Sequence, residues 1–144
     1  MKRFSLVLLA LLTPLALADG HKTLDWDTAL SGAHRTDANI ARNTERHPRE
    51  TLEFFGLQGE MTVLEVSPGG GWYTEVLAPL LAPHGNLVAG HGSPNGSAYG
   101  RRSLGGYLQK LGRDNDVYAN VDVRVMQPPG KPMKVEGGAI DMAL

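Results

Sequence analysis

The residues with the clearest chemical possibilities stand together in Val63-Leu64-Glu65-Val66-Ser67-Pro68-Gly69-Gly70-Gly71-Trp72-Tyr73. The run 61–66 is nearly all apolar and rich in strand formers, which suits a parallel strand covered on both faces. It leads directly into three glycines, and a helix begins near Trp72. Glycines in such a turn adopt positive φ and let backbone approach a ligand closely, while the helix start offers unpaired N–H groups. In open α/β sheets, ligands bind beyond the carboxyl ends of the strands, near this first turn. The plain alternative is a tight strand-to-helix turn with no ligand; three consecutive glycines favour the binding reading.

The sequence narrows the ligand. A dinucleotide turn has the form G-x-G-x-x-G, but Thr74 stands where the third glycine or alanine belongs, and Trp72 and Tyr73 are bulky where a pyrophosphate needs room. The G-K-[ST] of a phosphate loop is absent. Glu65, four residues before the first glycine, fits neither pattern. His47, between Arg46 and Arg49 and just before a helix, is a candidate general base, since histidine titrates near neutrality; its plainer role is backbone bonding at a helix start. Trp72 and Tyr73 either stack on a ligand or cover the turn.

Composition excludes other classes. With no cysteine, disulfides, thiol catalysis and zinc-thiolate sites are ruled out. The apolar run over 4–17 follows Lys2 and Arg3 and ends in Ala16-Leu17-Ala18, the order of a secretory signal peptide over residues 1–18. It is too short to span a bilayer of about 30 Å, so no membrane span is expected after cleavage, and the expected location is periplasmic or secreted. Losing Lys2 and Arg3 reduces 14 Lys+Arg to 12 against 15 Asp+Glu, a net −3 with His neutral. A mildly acidic surface argues against a nucleic-acid partner.

The elements that must position these residues follow in order. Residues 19–45 are polar and read as a loop and a loose helix, a lead-in that packs on the domain more than a core element. A first firm helix over 48–55 has Pro48 at its first position and Gly56 as its stop. After the glycine turn, Tyr73, Val76, Leu77, Leu80 and Leu81 share one helical face, with a kink or break expected at Pro79. A second strand starts at 87–89. Residues 90–100 read as a surface loop, 102–112 as a helix weakened by Gly105 and Gly106, and Val121, Val123 and Val125 as an alternating strand. Residues 127–134 form a Pro/Gly/Lys loop, and 139–144 begin another strand. Alternation of strands and helices implies an α/β domain with a parallel sheet, here over 46–144 and incomplete at the C-terminus.

Residues 46–56, 61–66 and above all Pro68-Gly69-Gly70-Gly71-Trp72-Tyr73-Thr74-Glu75 resemble a group of bacterial predicted methyltransferases that often carry signal peptides. Their class I fold is a Rossmann-like parallel sheet with flanking helices, and the likeness covers about 35–144. The resemblance implies a small-molecule cofactor, S-adenosylmethionine, and a methyl acceptor it does not identify. By it, Gly69, Gly70 and Gly71, flanked by Pro68 and Trp72, would cradle the methionine part, and Glu65 would hold the turn and receive the amino group. Asp141 would open a fourth-strand motif near the methyl group, in a strand lying beside the first. Two positions depart from the pattern: Ser67 stands where glycine is usual, and His91 with Ser93 stands where an acid would bind the ribose. The rival readings are a non-catalytic exported domain and a nicotinamide-dependent oxidoreductase; the latter lacks both small residues after the glycines and an acid after the second strand.

The targeting segment has a direct test. N-terminal sequencing or intact mass of the exported protein is expected to show a chain starting at Asp19; a mature chain that keeps Met1 overturns the signal-peptide reading.

Overall fold

A computed structural model describes residues 23–126, Met133 and residues 139–144. The targeting segment and, apart from Met133, the expected 127–134 loop lie outside them. Four strands, β1 (Thr62–Val66), β2 (Asn86–Gly92), β3 (Val121–Met126) and β4 (Met142–Ala143), form one sheet in the order β3-β2-β1-β4. Every pairing is parallel, so the chain has the expected Rossmann-like α/β sheet. The short β4 lies beside β1, and Val66 N–H donates to Leu144 O at 2.8 Å, carrying the ladder to the end of β1.

Among the described residues, four short helices precede the sheet: α1 (Trp26–Ser31), α2 (Asp37–Ala41), α3 (Asn43–Arg46) and α4 (Pro48–Phe54). The expectation of a peripheral lead-in is corrected here. Trp26 and Ala29 of α1 are core residues, clustered with Leu52, Val63, Val76 and Leu77. Asp25 caps α1, accepting from Thr28 N–H at 3.0 Å, and Thr36 caps α2; both are favoured N-cap types. Gly56 ends α4 as expected, at φ 77°. Its N–H reaches Glu53 O and that of Leu57 reaches Leu52 O, a Schellman closure that brings two core leucines together.

Between β1 and β2 runs α5 (Thr74–Leu81), in which every residue but Pro79 is buried. Of the kink or break expected at Pro79, the break does not occur: the helix runs through it. Proline leaves the carbonyl four residues earlier, that of Glu75, without its helical donor, and His34 Nε2 supplies one at 2.9 Å. A carbonyl only accepts, so this bond places the imidazole proton on Nε2.

Two further boundaries move. β2 continues through Gly92 because residues 90–92 pair with Arg124, Val125 and Met126 of β3; Gly90 there signals close packing, not a loop. A Cβ on Gly90 would stand 2.7 Å from Met126 Sδ. α6 (Ala98–Arg113) starts four residues earlier than expected, capped by Ser97, and passes through Gly105 and Gly106. A short α7 (Asn115–Tyr118), capped by Asp114, was not anticipated. On β3, the half-buried Asp122 and Arg124 pair at 2.7 Å, while Val125, expected on the drier face, is exposed.

His34→Phe is expected to cost about 1–3 kcal/mol by leaving the Glu75 carbonyl unsatisfied. Adding Pro79→Ala should return much of that, since alanine at this position restores the helical N–H. Urea unfolding of the single and double variants measures it; strictly additive effects would disprove the substitution of one donor for the other.

Candidate functional site

The polypeptide leaves β1 through a turn with three left-handed residues, Ser67 at φ 54°, Gly69 at 59° and Gly71 at 71°. Ser67 thus occupies a glycine-type conformation, which costs an L-residue roughly 1–2 kcal/mol. Its N–H donates to Gly90 O at 2.8 Å, and Gly71 N–H to Pro68 O at 2.8 Å. The glycines differ in purpose. A Cβ on Gly70 would meet nothing within 4 Å, and one on Gly69 only Ser67 O at 3.9 Å, whereas one on Gly71 would press on Tyr107 at 3.0 Å and Thr74 at 3.2 Å. Gly69 and Gly70 therefore face open space, and Gly71 is small because α6 packs against it.

Glu65 is buried at the foot of the turn. Thr74 Oγ1 donates to its Oε2 at 2.5 Å and is itself 3.1 Å from Tyr107 Oη. Burial pushes the Glu65 carboxyl up to about 7, a rise partly offset by the Thr74 bonds. Behind it, the His91 ring lies 4.5 Å from that of Tyr107. Burial pushes His91 down, and its Nε2 has no hydrogen-bond partner among the described residues.

A buried carboxylate braces the turn from the other side. Glu75 accepts from Arg35 Nε at 3.2 Å and from Asn39 Nδ2 at 2.9 and 3.0 Å. Lys110 of α6 reaches Glu75 Oε1 at 2.5 Å and also donates to Gly70 O at 2.7 Å and Gly71 O at 3.1 Å. All three ammonium protons are thereby used. Trp72 is buried, donates from Nε1 to Asn39 O at 3.0 Å, and carries the Arg35, Arg42 and Arg46 guanidiniums at 5.2, 5.7 and 4.8 Å from its ring centroid. Its ring pins α2 and α3 to the turn.

Among the described residues, two clefts flank the turn. One of about 440 Å³ is bounded by Glu65, Pro68, Gly70, Trp72, Arg42 and Arg46, among others. The other, about 430 Å³, lies between Gly69–Gly70 and Tyr99, Arg102 and Tyr107 of α6. Glu65, Pro68, Gly69, Gly70 and Trp72 are thus gathered around open space. The remaining candidates are not. Gly71 and His91 pack against Tyr107. Asp141 sits at the opposite end of the sheet, its carboxylate accepting from Thr62 N–H at 2.8 Å. His47 is an exposed, left-handed residue joining α3 to α4, 4.0 Å from Glu50 and outside both clefts. Ser93 Oγ accepts from Asn95 N–H at 3.2 Å. The described residues contain no cluster of metal-ligating side chains. Sequence reasoning missed Arg35, Asn39 and Lys110: their signal was only a set of polar residues in segments read as a lead-in and as a helix weakened by glycines.

No protein-family model matches the chain, and no curated protein matches it. Among solved structures it is similar to a SAM dependent methyltransferase from Aquifex aeolicus, at 24% identity and TM-score 0.47, over 60% of this chain and 42% of that one. It is similar to the O-methyltransferase TomG from Streptomyces achromogenes, solved in complex with SAM, at 17% identity and TM-score 0.45, over 83% and 53%. A protein-L-isoaspartate O-methyltransferase aligns at 21% identity and TM-score 0.45, over 56% and 23%. The chain spans less than two thirds of the length of each.

The Glu65 environment gives a signed pH prediction. Because its folded carboxyl is raised to about 7 from 4.5, the folded state holds the proton more tightly than the unfolded one. Its contribution to stability is full below about 4.5 and is lost as pH rises to about 7. Glu65→Gln should flatten that decline. Thermal unfolding of parent and variant between these limits reads it, and parallel profiles would refute the assignment.

Proposed function

We propose that the chain binds S-adenosylmethionine at the glycine turn and serves methyl transfer. The observation that carries this is Glu65 buried at the foot of a turn whose Gly69 and Gly70 face open clefts where a Cβ would intrude. The donor set fits the group. Gly69 and Gly70 admit a ligand against bare backbone, and the Glu65 carboxyl suits the amino group. S-adenosylmethionine supplies an electrophilic methyl group on a sulfonium. The chain's own residues orient: Lys110 and Glu75 fix the turn, and Trp72 fixes the cleft wall, so that positioning supplies much of the rate. His91, at the place of an acid that would hold ribose hydroxyls, is buried against Tyr107.

The acceptor is a nucleophile of a small or large molecule reaching the mouth of the 440 Å³ cleft. Export, with cleavage after Ala18, is part of the proposal and rests on the order of Lys2, Arg3, the apolar run and Ala16-Leu17-Ala18. That same segment favours a second reading, an exported domain that keeps the fold without the reaction.

Isothermal titration of the full chain with S-adenosylmethionine and with NAD separates the readings: binding of the first alone is expected, and binding of neither favours the non-catalytic domain. Gly70→Val, adding a side chain in open space, should abolish donor binding with little loss of thermal stability. Gly71→Val should lose stability as well, because its side chain meets Tyr107. A Gly70→Val variant that binds like the parent places the site elsewhere.

A further inference from the structure

Arg42 and Arg46 lie four residues apart where α2 passes into α3, on one helical face. Both guanidiniums rest over Trp72, at 5.7 and 4.8 Å from its ring centroid, and both line the 440 Å³ cleft. Among the described residues neither makes an ion pair. Arg35, the third cation on this indole, differs: it is ion-paired with Glu75. Arg49, which sits over Trp26 at 5.7 Å, is paired with Glu53 at 2.8 Å. The described part of the cleft thus has the Arg42 and Arg46 guanidiniums at its rim and the Glu65 carboxyl at its depth. The indole holds both guanidiniums by cation–π attraction, which leaves their N–H groups for an oxyanion.

We propose that Arg42 and Arg46 form an anion-binding rim that takes a carboxylate or phosphate-type oxyanion of the molecule held in the cleft. This rests on the methyl-donor reading for the identity of that molecule, and two sources share the chemistry. One is the donor's own α-carboxylate, with its amino group toward Glu65; the other is an acidic group on the acceptor. The rim selects an anionic partner in either case, and Trp72 reports its occupancy because the guanidiniums that would hold the anion lie against its ring.

The test uses the full chain, ¹⁵N-labelled, with three probes: inorganic phosphate, S-adenosylmethionine and its decarboxylated analogue. Phosphate is expected to shift the Trp72 indole N–H resonance and leave that of Trp26 in place. In Arg42→Gln/Arg46→Gln, which keeps the apolar stems over the ring, phosphate affinity should fall at least tenfold, while Arg42→Lys/Arg46→Lys keeps part of it. If the anion is the donor's, the parent binds S-adenosylmethionine at least tenfold tighter than the decarboxylated analogue, and the Gln pair erases the difference. If it is the acceptor's, parent and Gln pair bind S-adenosylmethionine alike, and only the parent takes phosphate beside it. A parent that binds phosphate through these arginines but no S-adenosylmethionine keeps the rim and overturns the methyl-donor reading. A Trp72 resonance that responds to none of the probes in the parent overturns the rim, whether or not the Gln pair folds.

Discussion

The turn that faces both clefts depends on one buried carboxylate. Glu75 sits in the first turn of α5, almost wholly removed from water, and an ion so placed is tolerated only with full compensation. Arg35 and Asn39 supply it from the N-terminal helices, and Lys110 supplies it from α6. Because the same ammonium also holds the Gly70 and Gly71 carbonyls, the ion network and the glycine turn form one unit. Removing one member leaves the others charged and buried, so the network acts less as a source of stability than as a device fixing one arrangement of three segments.

That arrangement explains the local departures from expectation. Pro79 leaves Glu75 short of a donor on its backbone while its side chain recruits Arg35, and His34, one residue before Arg35, answers the backbone need. The segment 34–39 therefore serves both the main chain and the side chain of one residue. Trp72 closes the same contact from the turn, through Asn39 O and the stacked guanidiniums.

Much of the sheet was legible in the sequence, because hydrophobic runs at 61–66 and 87–89 and the alternation at 121–125 are local signals. The glycine turn was legible too, since Gly69-Gly70-Gly71 between strand and helix leaves few conformations. What escaped was nonlocal. Gly90 resembled a loop residue until Met126 and Leu64 were seen to need its space. Trp26 and Ala29 looked peripheral because a six-residue helix has too little period to show its buried face. His91 resembled a ribose ligand by position, yet the ring packs inward on Tyr107. Asp141 sits at the start of its strand and not the end, so it bonds Thr62 instead of approaching the turn.

The span of the Glu75 network also sets an order of events during synthesis. Arg35 precedes Glu75 by 40 positions, and Lys110 follows Gly70 by 40 more. A nascent chain that has emerged as far as α5 can already dock its N-terminal helices and neutralise part of the carboxylate. Its glycine carbonyls stay untied until Lys110 of α6 has been made. A translating ribosome therefore brings the N-terminal helices to α5 before it releases the residue that ties the glycine turn.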